Sequence, residues 1–271
     1  MKKLNVMVIG AHPDDCDIKA GGTALKYLAA GHRVMFLSMT DGSMGHHLTP
    51  GVEMAARRFG EIRAVTELTG IEYKMLNIPD GSLTADLMYR EMLMREIRVF
   101  KPDLIITHRP NDYHPDHRNT GQLVMDCSYL IIVPGVVPDV PPPRQAPCIF
   151  YMSDNFTFPG PFAPHTAIGI DEVLEAKMAI LDCHVSQVYE WLPWADNYPG
   201  KVPLGEDKKS RLEWLAGIYG ADDARAAELY RNALVEWYGE KGRDVRHCEA
   251  FALCEYGRQT DREGLHELFP F

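Results

Sequence analysis

Two short segments of this chain carry residue types that hold metals and move protons. Ala11-His12-Pro13-Asp14-Asp15 follows the apolar run Leu4 to Gly10, and His114-Pro115-Asp116-His117 follows a second run, Leu104 to Thr107. Each segment pairs a histidine with acids and offers a further ligand three residues along. Each sits where a buried strand would empty into a loop, and in open α/β sheets ligands bind outside the carboxyl ends of the strands. A catalytic zinc usually has three protein ligands and one open position. His12 and Asp15 are spaced i, i+3, so both side chains face the same way if a helix starts after Pro13. His117 is the third ligand in this reading, which leaves Asp14 and His114 as uncoordinated neighbours. A bound metal lowers the pKa of its water, and a free carboxylate can take the proton.

Taken singly, these patterns are weak. A lone His-x-x-Asp or His-x-x-His is common in exposed polar loops, and paired acids usually mark a solvated turn or a helix N-cap. Here both patterns close apolar strands, and three acids lie within positions 14 to 17. No Gly-x-Gly-x-x-Gly follows the first strand, so a dinucleotide fingerprint is absent. Gly-x-Ser-x-Gly does not occur, which excludes a serine nucleophile elbow.

The elements that must position these residues alternate. Val6 to Gly10, Arg33 to Met39, Ile71 to Ile78 and Leu104 to Thr107 read as buried strands, with Cys148 to Met152 and Thr166 to Ile170 as two more. Gly21 to Ala30, Val52 to Leu68, Leu87 to Phe100 and Asn119 to Val133 read as helices, and Asp171 is expected to cap a helix running to about His184. Strands alternating with helices at crossover spacing imply a mostly parallel sheet with helices on both faces. The expected architecture is a Rossmann-like three-layer α/β fold. Residues 1–187 form its core, and 188–271 form a C-terminal helical embellishment packed on it as part of a single domain. Six prolines between Pro134 and Pro147 mark an extended loop, of the kind that often forms lids or substrate walls.

Composition narrows the function classes. The chain has 271 residues, 46% of them hydrophobic, enough for one large domain. A net charge of −10, with basic runs no longer than a pair, argues against nucleic acid. The six scattered cysteines form no Cys-x-x-Cys, and no secretory or transmembrane segment is evident, so a cytoplasmic location with reduced thiols is expected.

The paired motifs resemble the zinc-dependent N-deacetylases of the PIG-L (LmbE-like) family. Further agreement comes from Thr40-Asp41-Gly42-Ser43-Met44-Gly45, from Arg58-Phe59-Gly60-Glu61, and from Lys177 through His184-Val185-Ser186-Gln187, all in family order between residues 5 and 187. The resemblance implies one zinc per chain, with Fe2+ or Co2+ as substitutes, held by His12, Asp15 and His117. It implies Asp14 as general base and a protonated His114 stabilising the oxyanion, with Asp116 orienting His114. Arg58 matches a position that contacts the sugar, and Asp112 and His184 are the further substrate-side expectations. The implied activity is removal of an N-acetyl group from an amino sugar or its conjugate, with a small N-acetylated sugar as partner.

Other signals stay open. A metal-dependent phosphoesterase acting on a sugar or nucleotide is the alternative function, although two histidines among the ligands favour zinc over Mg2+. His46 and His47 are expected to face solvent, and Cys16 to be a buried small residue. Phe156, Phe158 and Phe162 suit a pocket wall or a packed loop. Trp191 to Tyr238, with three of the four tryptophans, suits a homo-oligomer interface, an active-site wall or a hairpin packed on its own domain.

Overall fold

The computed structural model describes residues 2–271. Its centre is a seven-stranded sheet of β1 (Asn5–Gly10), β2 (Arg33–Ser38), β3 (Glu72–Met75), β4 (Leu104–Thr107), β5 (Cys148–Met152), β6 (Thr166–Gly169) and β7 (Cys248–Gly257). The strand order is β3-β2-β1-β4-β5-β7-β6; the first five are parallel, and β7 runs antiparallel to both of its neighbours.

The central strands β1 and β4 are apolar on both faces, as strands covered on both sides require. Val6, Val8, Leu104 and Ile106 point into one core, where they meet Cys16, Ala20, Ala24 and Tyr27 of α1 (Asp15–Ala29) and Val65 of α2 (Val52–Thr69). Met7, Ile9 and Ile105 point the other way, onto Leu93, Met94 and Ile97 of α3 (Leu87–Phe100) and Leu123, Val124 and Cys127 of α4 (Pro115–Leu130). The result is the three-layer α/β arrangement that the alternation predicts. Burying one such aliphatic side chain contributes roughly 1.5–3 kcal/mol.

Sequence reading places α1 six residues too late, because Gly21 and Gly22 look like a helix start. The helix begins at Asp15, directly after the metal-type motif. Asp171 is not a helix cap. A 3-10 turn (Asp171–Val173) precedes α5 (Leu174–Leu181), and the Asp171 carboxylate accepts the Arg246 N–H at 2.9 Å and meets His247 Nδ1 at 2.6 Å.

The C-terminal region is not purely helical. A π turn (Ser186–Trp191) leads into α6 (Leu192–Ala195), and α7 (Lys208–Leu215), a second π turn (Ala216–Gly220), α8 (Ala221–Leu229) and α9 (Arg231–Tyr238) follow. The chain then returns to the sheet as β7 before closing with α10 (Arg262–Leu268). Glu249 of β7 accepts the Gly22 and Thr23 N–H groups of α1 at 2.9 and 2.7 Å, and its carboxylate lies 2.9 Å from Lys177 Nζ. A boundary at residue 187 therefore leaves one strand of the central sheet outside the core. None of the helices is long and apolar enough to cross a membrane among the described residues.

The proline-rich segment is a loop, but it forms no lid. It precedes β5, so it lies at the amino ends of the strands, opposite the motifs. Buried Arg98 organises it, donating to the carbonyls of Ile131, Val133, Val136, Val137 and Val140.

Candidate active site

Strand register brings the two motifs together. Ile9 of β1 pairs with Thr107 of β4, so Gly10 and His108 leave the sheet side by side. After Gly10 the chain turns at once, with the Asp14 and Asp15 N–H groups donating to the His12 carbonyl at 2.9 and 3.3 Å. A Cβ on Gly10 would stand 2.7 Å from Asp15 Cβ, so the turn needs glycine. On the second motif, His114 caps α4 and Pro115 occupies its first turn, where a missing N–H costs nothing. Gly121 lets α4 press onto the end of β4, since a Cβ there would lie 2.7 Å from the His108 carbonyl oxygen.

His12, Asp15 and His117 converge. His12 Nδ1 lies 3.2 Å from His117 Nε2 and 3.5 Å from Asp15 Oδ2, and His117 Nε2 lies 3.4 Å from Asp15 Oδ1. Three donors each about 2.0–2.1 Å from a tetrahedral ion would stand about 3.3–3.4 Å apart. The two ring nitrogens stand at about that spacing and the Asp15 carboxylate faces each of them through a different oxygen, so the three residues surround a space in which one divalent cation could be held, and overlapping sets with His114 and with His108 lie beside it. The far nitrogens are held as well. His12 Nε2 is 3.1 Å from Asp80 Oδ1 and 3.5 Å from Asp116 Oδ2, and His117 Nδ1 is 3.0 Å from Asp112 Oδ1. Such carboxylate–histidine pairs fix the tautomer and leave the opposite nitrogen free to ligate. Burial disfavours charge on Asp15, but His117 and His108 outweigh it and hold the carboxyl well below its ordinary range, in the ligating form.

Asp14 is buried beside this triangle, with Oδ2 3.2 Å from Arg58 Nη2. Burial raises its pKa and Asp15 adds to the rise, against the pull of Arg58. Asp14 thus takes up a proton more readily than an exposed carboxylate does.

Several expected roles change. Arg58 is only 1% exposed; its guanidinium donates to the Pro13 carbonyl at 2.5 Å and to Glu61 at 3.1 Å as well as facing Asp14. It is held against the His12–Asp15 turn at the edge of the cavity. Asp112 is turned onto His117 instead of a sugar. The Asp116 carboxylate accepts the Gly81 N–H at 2.7 Å and faces His12, so only its backbone orients His114. That contact also corrects the protonation of His114. The Asp116 N–H donates to His114 Nδ1 at 3.2 Å, so that nitrogen carries no proton, and burial together with His12 and His117 lowers the pKa. His114 is therefore a neutral ring with its hydrogen on Nε2. His184 is fully buried and meets Asp17 at 3.2 Å, behind the site. His46 does not face solvent; it is buried against Glu190 at 2.9 Å.

Two residues were missed by sequence reading. His108 sits 3.1 Å from Asp15 Oδ2 and stacks on the His117 ring, with centroids 4.1 Å apart. Asp80 supports His12. Both follow strands of the parallel sheet, β4 and β3, and that position alone could have flagged them.

A cavity of about 680 Å³ opens over the triangle. One wall, on the β2 side, carries Met44, Gln187 and Trp191; the other, on the β5 side, carries Tyr113, Asp154 and Phe156. Of the other loop phenylalanines, Phe158 is exposed and Phe162 packs against Tyr230.

Residues 7–128 match the family model described as PIG-L: GlcNAc-PI de-N-acetylase. Over 226 residues, the chain is 29% identical to the diacetylchitobiose deacetylase of Thermococcus kodakarensis, covering 79% of this chain and 81% of the relative. The solved N,N'-diacetylchitobiose deacetylase from Pyrococcus horikoshii, complexed with its inhibitor MPG, superposes with a TM-score of 0.67 at 26% identity, covering 92% of this chain and 83% of that one. The 4-carboxy-2-hydroxymuconate hydratase GalB from Pseudomonas putida KT2440 shares the fold, with a TM-score of 0.71 at 18% identity over 96% and 99% of the two chains. The motif order, the matched span and these relatives agree: over residues 7–128 this chain is similar to the PIG-L family.

Proposed function

We propose that this protein is a zinc-dependent N-deacetylase acting on an N-acetylated amino sugar or its conjugate. The observation that carries the reading is the ligand triangle of His12, Asp15 and His117 with Asp14 buried directly beside it. Two imidazoles and one carboxylate suit zinc, and the same set accepts Fe2+ or Co2+. The similarity to sugar deacetylases supports the substrate class, and nothing favours the phosphoesterase alternative.

A divalent ion in the triangle supplies Lewis acidity toward the amide carbonyl and toward water. Asp14 takes one proton from the attacking water as its oxygen bonds to the carbonyl carbon. His114 donates from Nε2 to the carbonyl oxygen as negative charge develops there. Asp14 then returns its proton to the nitrogen as the C–N bond breaks, releasing the amine and acetic acid, whose remaining proton passes to solvent or to the amine to leave acetate. Arg58 holds the Asp14 carboxylate in place throughout. Asp80, Asp116 and Asp112 keep the two ligand rings oriented. The six cysteines are all unpaired, which suits a reducing compartment such as the cytoplasm. The tryptophan-bearing stretch Trp191 to Tyr238, with Trp194 half exposed, is the candidate for self-association, which light scattering at micromolar concentration tests.

The deciding experiment incubates the metal-loaded protein with N-acetylglucosamine, N,N'-diacetylchitobiose and, as a control, p-nitrophenyl phosphate. Amine and acetate should appear in equal amounts from an acetamido sugar. Cleavage of the phosphate ester alone, or no amine from any acetamide at full zinc content, would overturn the proposal.

A further inference from the structure

His108 is a buried histidine beside the triangle that has no task in the chemistry above. β4 ends at Thr107, whose hydroxyl donates to the Ile9 carbonyl at 2.9 Å, so His108 leaves the sheet next to Gly10 and the turn that follows it. The ring is 4% exposed. Its face stacks on His117, with centroids 4.1 Å apart and planes 12° apart. On its edge, Nε2 lies 3.1 Å from Asp15 Oδ2. One side chain thus touches two of the three residues that surround the space for a cation.

The two oxygens of Asp15 are used unequally. Oδ2 accepts the Ala11 N–H at 2.9 Å and the His12 N–H at 2.8 Å, and the His108 ring reaches it as a third partner. The Ala11 N–H also lies 3.2 Å from His108 Nε2, but its shorter contact is with the carboxylate. Nε2 therefore carries a hydrogen and donates it to Oδ2, because a bare nitrogen would set its lone pair against an anionic oxygen. An oxygen with three donors on it has no lone pair left for a cation. Among the described residues Oδ1 receives no such set of donors, and it faces His117 Nε2 at 3.4 Å.

Ligation through one oxygen keeps a coordination position open. A catalytic site needs three protein ligands and a free place, and a carboxylate that turned both oxygens to the ion would fill that place. The Ala11 and His12 donors are backbone groups of the turn, and His108 is the side chain that completes the hold on Oδ2. The same contact speaks against His108 as a ligand, although it lies close enough to Asp15 and His117 to form a ligand set with them. The nitrogen on the Asp15 side is already engaged.

We infer that His108 is a positioning residue for the metal site: it donates from Nε2 to Asp15 Oδ2, which leaves Oδ1 as the ligating oxygen, and its ring backs that of His117. The inference rests on the metal reading of His12, Asp15 and His117, and the acetamide chemistry plays no part in it.

The test measures metal binding without substrate in three variants. His108→Phe keeps a ring against His117 and removes the donor. His108→Gln brings an amide nitrogen to about the place of Nε2, and His108→Asn is too short to reach it. Zinc affinity, read by competition with a chelator, should fall about 10–100-fold in His108→Phe and His108→Asn, and His108→Gln should recover most of the loss. The visible absorption of the Co2+-loaded proteins reports the ligand arrangement, since the bands weaken as the coordination number rises. His108→Gln should match the wild type, and His108→Phe should give a weaker band as Asp15 turns both oxygens to the ion. Melting temperatures of the metal-free proteins check folding. If His108→Phe does not fold, the comparison of His108→Gln with His108→Asn decides. Equal affinities in all four proteins, or a Co2+ spectrum of His108→Phe identical to that of the wild type, overturn the inference. Loss of zinc as complete as in His117→Ala also overturns it, because His108 would then be a ligand. A wild type that binds no divalent ion sinks the metal reading and this inference with it. A wild type that binds zinc and hydrolyses no acetamide sinks the deacetylase reading alone, and the role of His108 is still decided by the affinities.

Discussion

Arg58 Nη2 lies 3.2 Å from Asp14 Oδ2 in a part of the protein where Arg58 is only 1% exposed. The same guanidinium meets Glu61 at 3.1 Å, so one buried cation answers two buried acids. Removing one partner of a buried ion pair leaves an uncompensated charge and costs about 3–5 kcal/mol. Arg58→Met should lower unfolding stability by that amount in urea titrations. It should also lower turnover, because Asp14 loses its anchor. A variant of wild-type stability and turnover would show that Arg58 positions nothing.

Asp14→Asn keeps the shape of the side chain and removes its ability to take a proton. The variant should bind about one zinc per chain, because Asp14 does not belong to the triangle, and should lose amide hydrolysis about 100-fold or more. Metal content by atomic emission and kcat on an acetamido sugar decide this together. Near-wild-type turnover at full zinc content would reject Asp14 as the base.

His12→Ala and His117→Ala each delete a corner of the triangle and should abolish zinc retention through gel filtration. The outer carboxylates should act more mildly. Asp80→Ala and Asp112→Ala release the far nitrogens of His12 and His117, and loss of such partners typically costs 10–100-fold in metal affinity. Competition with a chelator of known affinity measures the difference. Equal affinity in wild type and Asp112→Ala would return Asp112 to a substrate-facing role.

His114→Ala should keep its zinc and lose about 100- to 1,000-fold in rate, the usual effect of deleting one oxyanion donor. Because His114 is held neutral, with the Asp116 N–H on Nδ1, the variant should not simply lose an alkaline limb of the pH profile. A loss of zinc equal to that in His117→Ala would make His114 a ligand instead.

The alternation of β-branched runs with amphipathic stretches was enough to show a parallel three-layer sheet, because strands buried on both faces must be continuously apolar. It could not show β7. Cys248 to Gly257 contains two glutamates, and Glu249 is tolerated in the core only because α1 and Lys177 supply its partners from far away in sequence. The convergence of His12, Asp15 and His117 was legible because strand ends in an open sheet converge by topology. The groups that hold them and Asp14 were not. Asp112, Asp116 and Arg58 look like exposed polar residues in a loop or on a helix, and only the tertiary structure turns each toward His117, His12 and Asp14. His184 shows the reverse: its motif context suggested a place in the site, and packing buried it against Asp17.

The triad of Lys177, Asp223 and Glu249 predicts a pH effect on stability away from the reaction centre. Lys177 Nζ lies 2.8 Å from Asp223 and 2.9 Å from Glu249. Burial pushes the Asp223 carboxyl up, Lys177 pulls it back and Glu249 adds to the rise, leaving it at about 6. In the unfolded chain an aspartate titrates near about 3.9. The folded value is the higher one, so the stability linked to this proton is fully present below about pH 4 and is lost as pH rises through 6. A shift of about two units corresponds to at most about 2.7 kcal/mol. Other titrating groups are common to wild type and Asp223→Asn, so the difference between the two isolates this carboxyl. The unfolding free energy of wild type minus that of Asp223→Asn should fall between pH 4 and pH 7 by an amount approaching that limit, measured in urea at matched ionic strength. A difference that stays constant across the range would mean that Lys177 keeps Asp223 ionised throughout and that the triad behaves as an ordinary buried ion pair.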